Sequence, residues 1–408
     1  MERVSHRQAA PFRIEEGKKK QEKNQPGRKK GHKGSYRNIP QSIDETIEVK
    51  LHSCPHCGNK IEPLRAIEQY IEELPEIRPK VYKLITWSGK CLHCGKRVQS
   101  KHPLKCSQAT GAAKVQTGPQ AKGIEMRLQY EYGLSKRKCT DLLANIFGLS
   151  LSAGGLVHAS HRMRQRCESE YNGMLGDIRQ SSHIHSDETS WYMGGPKSWL
   201  WVFTNGQTTL YKVADNRSRS VIEQVVGKDY PGVLISDCLS IYDDATPVQH
   251  KCYAHHLKAI HQAMEQLPKE KISYLSKLKT LLKAAIALKQ AKSTLPLHQY
   301  SNCCSALEQK ADTLLHAARD IPLEEKIANR LRKQRDHLFT FLYHNDVDAT
   351  NNQAERQLRP AVISRKISCG NKTIKGARTW EVLTSIHVTN RQRDINNLDF
   401  FAGKSRVA

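Results

Sequence analysis

The hydropathy of the chain changes period at His183, and that change limits the fold more than any other feature. Residues 183–189, 199–204 and 208–214 read as strand-like runs, the first alternating as a strand does. Gly194, Gly195 and Pro196 separate the first two runs, which therefore read as a hairpin. Helical spacing takes over at residues 217–226. Pro231 and Gly232 then introduce Val-Leu-Ile-Ser, a short apolar run of the kind buried on both faces, which ends at Asp237. Another strand-to-helix unit starts at His250. Residues 262–345 are helical in pattern, rich in Leu, Ala and Lys, with no strand signal. A short helix capped near Thr350 is expected to follow and to carry Glu355.

Three antiparallel strands, a helix and further strand–helix units are the order of a ribonuclease H-like α/β domain built on a mixed sheet. Residues 262–345 then form a helical insertion in it. Asp187 and Asp237 both close strand-like runs, and Glu355 lies on a helix that can pack across them. Such a sheet brings the three positions together. Carboxylates supply the oxygen ligands that hard cations require, and two Mg²⁺ or Mn²⁺ ions about 4 Å apart serve phosphoryl transfer. Asp187 would bridge both ions, with Asp237 and Glu355 holding one each. Glu188 neighbours Asp187 and points to the opposite face of a strand, so it stands outside this set. Trp191, Trp199 and Trp201 read as core and sheet-face residues; stacking on an unpaired base is their functional alternative.

Charge limits the partner. The 408 residues carry a formal charge of +25, far from that of an ordinary soluble enzyme. A polyanion such as double-stranded DNA is the simplest match, because its phosphates bind Lys and Arg with release of counterions. Little of the polar, basic stretch before residue 40 can enter a core. It reads as a disordered arm that lays Arg28, Lys29, Lys30 and Lys33 along phosphates. Neither a run of about 18 apolar residues nor the apolar core of a secretory signal is present, which points to the cytoplasm and the nucleoid. The twelve cysteines are then thiols and metal ligands rather than disulfides.

Four of those cysteines form two knuckles, Cys54-Pro-His-Cys57-Gly58 and Cys91-Leu-His-Cys94-Gly95. The spacing turns two thiolates of each toward one ion, and the glycine lets the backbone fold beneath them. Together Cys54, Cys57, Cys91 and Cys94 make a closed tetrahedral site for one structural Zn²⁺. Alternation over residues 70–74 and 80–86 suggests the strands of a zinc ribbon. Beyond it, residues 120–132 are amphipathic, residues 134–148 keep helical spacing up to a terminal Gly148, and a Ser-capped helix follows. This is the outline of a helix-turn-helix DNA reader, and a plain three-helix bundle fits it equally well. The organisation is therefore a basic arm (1–40), a zinc ribbon (41–106), a helical DNA-binding domain (107–180) and a catalytic domain in two parts (181–261 and 346–408). The helical insertion (262–345) separates those two parts.

Several segments also resemble a known family, the bacterial insertion-sequence transposases of family sixty-six in the DDE superfamily. They are the basic stretch from Gly27 to Gly34, both knuckles, His185-Ser-Asp-Glu-Thr189, Trp199-Leu-Trp-Val202 and Gly232-Val-Leu-Ile-Ser-Asp237 followed by Tyr242. Cys252-Tyr-Ala-His255 belongs with them. The most specific is Asn351-Asn-Gln-Ala-Glu-Arg-Gln-Leu-Arg-Pro360, leading to Ser364-Arg-Lys366. Cys238 stands where the family usually shows glycine. The resemblance implies a DDE triad on Asp187, Asp237 and Glu355, metal-dependent cleavage and joining of DNA at element ends, and accessory proteins of the same element. Action as a homo-oligomer on DNA is expected with it. Arg356, Arg359, Arg365 and Lys366 surround Glu355 in sequence and are candidates for the phosphate backbone; an ordinary solvated basic face is the alternative. Cys252 and His255 suit a second zinc site whose remaining ligands the sequence leaves open. A non-catalytic zinc-ribbon DNA-binding regulator, a domesticated transposase, is the competing function, and a plain metal nuclease a third.

Overall fold

Each Cys-x-x-Cys sequence folds into the same tight turn. The Gly58 N–H donates to the Cys54 carbonyl at 2.8 Å, and the Gly95 N–H to the Cys91 carbonyl at 2.9 Å. Both glycines take left-handed backbone, with φ of 76° and 68°, which a side chain would strain. These turns belong to a computed structural model that describes residues 37–406 apart from 64, 108–114, 196 and 318. The chain forms two compact units, Met1–Glu76 and Ile77–Ala408. The described residues of the first unit contain turns and bends but neither helix nor strand. In the second unit the knuckle at Cys91 sits between strands β1 (Ser88–Lys90) and β2 (Arg97–Gln99), paired antiparallel. The ribbon strands expected at 70–74 and 80–86 are therefore corrected: those residues are not in strands. Pro75 and Pro79 stand at the edges of both segments, where they cannot donate to a ladder.

Four helices follow. α1 (Pro119–Met126) runs into one π-helical turn, Arg127–Glu131. α2 (Lys136–Phe147) starts on Ser135, whose hydroxyl accepts from the Lys138 N–H, and stops at a left-handed Gly148. α3 (Ala153–Arg166) is capped by Ser152 and leads to α4 (Glu168–Gln180). Leu128, Cys139, Leu143 and Leu156 bury a small core among the π turn, α2 and α3.

The sheet lies where the strand-like runs put it. β3 (His183–Tyr192), β4 (Lys197–Thr204) and β5 (Thr209–Ala214) are antiparallel. α5 (Arg219–Val226) crosses back, so that β6 (Val233–Ser236) joins β3 in parallel and β7 (Gln249–Lys251) joins β6. The order β5-β4-β3-β6-β7 is a mixed α/β sheet compatible with a ribonuclease H-like transposase domain. Alternation decides its faces. Ile184, Trp201, Phe203, Leu210 and Leu234 point into the larger core, against α3, α4 and α5. Leu200, Val202, Trp191 and Tyr211 point to the other side.

The segment after β7 is helical, as its composition suggested. α6 (Tyr253–Glu265), α7 (Ser273–Gln290), α8 (Leu297–His316), α9 (Pro322–Lys333) and the short α10 (Arg335–Leu338) and α11 (Thr340–Tyr343) share one core with Val233 and Ile235. The chain then returns through α12 (Asn352–Ser368), which lays Ala354, Leu358 and Ala361 on the Leu200–Val202 side of the sheet. α13 (Ile374–Gln392) and α14 (Asn397–Ser405) complete the unit. The helix of Glu355 is thus neither short nor capped by Thr350. It spans 17 residues from Asn352, and the residue before it, Asn351, has its side chain bonded elsewhere. No described helix is long and apolar enough to cross a membrane.

Candidate active site

Strand parity and register place the first two acids together. His185, Asp187 and Trp191 share a face of β3, the face on which Asn351 and α12 lie. β3 and β6 pair in parallel with His185 opposite Ile235. That is the last pair of the ladder: Asp187 lies two residues further along β3, and Asp237 directly follows the end of the neighbouring β6. Asp187 is not at the end of its strand, as the alternation suggested. It is the fifth residue of ten, just beyond the last pair made with β6. The strand continues because β4 still pairs with it through Tyr192, while β6 has ended.

Glu355 enters from the first turn of α12. Its charge reaches Asp187, as does that of Asp237. Burial first, then the charges of Glu188, Asp237 and Glu355, push the Asp187 carboxyl up to about 8; the Glu188 N–H, bonded to its Oδ1 at 2.9 Å, opposes the rise. The Asp237 carboxylate accepts from the Leu239 N–H at 2.9 Å, which turns the chain after β6. All three acids are half-buried.

What holds Glu355 there is Asn351, which sequence reasoning quoted but gave no role. Asn351 is fully buried. Its Nδ2 donates to the Ser186 carbonyl at 2.7 Å, and its Oδ1 lies 3.1 Å from the His185 ring. Its backbone N–H points at the Cys252 sulfur, 3.2 Å away. One residue thereby ties the start of α12 to the strand of Asp187 through its side chain and to the start of α6 through its backbone. The signal was present: an Asn pair before a helix is more than a cap needs.

Glu188 lies on the opposite face, as parity required. It accepts from the Arg217 guanidinium and, at 2.5 Å, from the Tyr242 hydroxyl. Burial drives both the Glu188 and Tyr242 groups upward. Lys251, another residue the sequence did not single out, is fully buried at the end of β7, 3.4 Å from the Ser236 hydroxyl. Burial lowers its ammonium pKa, while the charges of Asp243, Cys238 and Asp237 counter that.

The basic candidates separate. Arg356 and Arg359 are exposed and border a cavity of about 530 Å³ between α12, α13 and the π turn, together with Tyr130, Tyr132, Trp380 and Arg391. Lys366 is exposed. Arg365 instead turns back to β3, where its guanidinium donates to the Ser190 hydroxyl at 2.8 Å and to the Ser190 carbonyl. Arg28, Lys29, Lys30 and Lys33 lie outside the described residues. Trp191 and Trp201 are buried; Trp199 is half-buried under the Arg217 guanidinium, 4.4 Å from its ring centre. In each knuckle, amide hydrogens aimed at the first sulfur hold its thiol below the usual range: those of His56 and Cys57 at Cys54, and those of Cys94 and His93 at Cys91.

A mixed sheet with candidate acids in β3, just after β6 and on a returning helix is compatible with a ribonuclease H-like transposase domain. The family model described as Transposase IS66 family matches residues 115–379, well over half of the chain and all three acids. The chain belongs to the IS66 family of transposases. A search of curated proteins finds no match.

Proposed function

We propose that this protein is a DDE transposase that binds the ends of a bacterial insertion sequence and carries out metal-dependent strand cleavage and strand transfer. The observation that supports the reading is the placement of the acids: Asp187 in β3, Asp237 directly after the adjacent parallel strand β6, and Glu355 in the first turn of α12, which packs on the same side of β3. Three acids from separate elements crowd one face without a compensating Lys or Arg salt bridge among the described residues. An all-oxygen donor set of this kind suits Mg²⁺ or Mn²⁺. Asp187 would hold two such ions jointly, with Asp237 and Glu355 holding one each. When bound, the ions would activate the attacking oxygen and neutralise the leaving one in an in-line displacement.

The protein's own contribution is positioning. The β3–β6 ladder makes the strands that lead to the two aspartates neighbours, and Asn351 ties the start of α12, which carries Glu355, to β3. Arg356, Arg359 and Lys366 lie on exposed turns of the same helix, where they can meet phosphates; Arg28, Lys29, Lys30 and Lys33 extend that contact from the N-terminal arm. Arg365 orients α12 against β3 instead. The knuckles at Cys54–Cys57 and Cys91–Cys94 supply thiolates to structural zinc.

Asp187→Asn, Asp237→Asn and Glu355→Gln should each abolish release of 3′-hydroxyl ends and joined products from element-end DNA in Mg²⁺, while end binding in a gel-shift assay persists. Full strand transfer by the Asp187→Asn protein would remove the assignment. Nicks without joined products would favour a plain nuclease, and end binding with no cleavage by the parent protein a regulator.

A further inference from the structure

The third carboxylate has a second set of neighbours. The Cys252 sulfur, a ring nitrogen of His255 and a Glu355 carboxylate oxygen all lie within 4.8 Å of one another. Cys252 and His255 are the pair for which the sequence offered no partner. Cys252 immediately precedes α6 and is fully buried, and His255 and Glu355 are half-buried. Two further observations mark the place as built for a ligand. His255 Nδ1 is shielded from solvent and has no hydrogen-bond partner. Around the sulfur, the Asn351 N–H approaches to 3.2 Å, and the amides of His255 and Ala254 favour the thiolate against the opposing effect of burial. Amide hydrogens gathered on a cysteine sulfur also occur in the turns of the two knuckles.

The donor chemistry selects the ion. Sulfur and imidazole are poor ligands for Mg²⁺, which wants oxygen and near-ideal octahedral geometry. Zinc takes Cys, His and carboxylate together, and three protein ligands leave its fourth position open. Glu355 cannot serve both sets at once if its carboxylate turns fully toward the sulfur. We propose that Cys252, His255 and Glu355 form a site for one zinc-class dication, and that filling it withdraws Glu355 from Asp187 and Asp237, so that zinc switches off Mg²⁺-dependent cleavage. The binding half stands on the cluster alone; the inhibitory half rests on the function proposed above. Binding displaces the Cys252 proton to solvent and leaves the thiolate on the ion.

The test uses the full chain with Zn²⁺ or Co²⁺ alone, without DNA. The parent should hold one more equivalent of zinc than Cys252→Ser or His255→Ala, and its Co²⁺ complex should show a thiolate charge-transfer band that Cys252→Ser diminishes. Loss of either ligand should weaken this site by at least about 100-fold. Half-buried His255 gives a variant that can fold where the buried Cys252 variant does not, and melting curves without zinc verify both. Equal zinc content in parent and His255→Ala protein would overturn the site. Strand cleavage in Mg²⁺ should then fall as zinc is added to the parent; cleavage unaffected at saturating zinc would overturn the inhibitory half. Because metal content is read without DNA, an inactive parent would weaken the transposase reading and leave the site standing.

Discussion

Asn351 offers the sharpest test of how the site is held. Asn351→Ala deletes the amide that donates to the Ser186 carbonyl at 2.7 Å and the oxygen beside His185. Both partners are fully buried, so water cannot replace what is lost. Leaving a buried polar group unpaired costs about 1–3 kcal/mol, so two cost roughly 2–6 kcal/mol of folding stability. The backbone N–H to Cys252 survives, so α12 should still form. Its first turn, released from β3, can move by about 1 Å, and a displacement of that size costs on the order of 10²-fold in rate. Urea denaturation gives the stability change. Cleavage of element-end DNA, measured at a temperature where the variant is fully folded, gives the rate. Gln353→Ala is the control: its Oε1 has no partner, and it should stay within about 1 kcal/mol of the parent. An Asn351→Ala protein that kept both its stability and its cleavage rate would refute the clamp.

Three further outcomes are expected. Arg217→Ala strands Glu188 in the core with Tyr242 as its remaining partner and should cost about 2–4 kcal/mol by thermal denaturation, part of which Glu188→Gln recovers in the double variant. Burial depresses His387 to about 3, whereas the unfolded chain takes up that proton near pH 6.5. Stability is therefore lost as pH falls below about 6.5, by roughly 2 kcal/mol at pH 5 from this group. His387→Phe should remove that share of the slope in urea titrations, since the ring stacks on Phe401 at 4.3 Å and neither nitrogen has a hydrogen-bond partner. Cys91→Ser should lower the zinc content of purified protein, measured by atomic emission; unchanged zinc would take that knuckle out of a metal site.

The sheet was legible because β3, β4 and β5 are short runs set apart by turn residues such as Gly194-Gly195 and Asn205-Gly206, and β6 is a continuous apolar run. That Asp187 and Asp237 lie on neighbouring strand tracks follows once the β3–β6 pairing is known. Glu355 was different. Nothing local sets it apart from other helical acids, and it was placed through resemblance to a family. Its approach depends on Asn351, whose partners lie in β3, far away in sequence. The same distance hid the meeting of Glu355 with Cys252 and His255. Residues 70–74 and 80–86 misled in the other direction. Alternation says which side chains share a face, but a strand also needs a partner and free donors, which Pro75 and Pro79 interrupt.

The helical insertion has a consequence for the order in which the molecule comes to exist. Glu355 is made about 170 residues after Asp187, and α6 through α11 intervene between the last parallel strand and the helix that bears it. The two aspartates can meet as soon as β3 and β6 pair. The third acid arrives only after the insertion has folded and α12 has docked. A contact of such long sequence separation forms late. A nascent chain, or one cut short by an early stop codon, would therefore carry the strands of the site but not its third ligand. Under the proposed function, protein synthesis itself would thus set a threshold: DNA cleavage would have to wait until α12 has been made and docked.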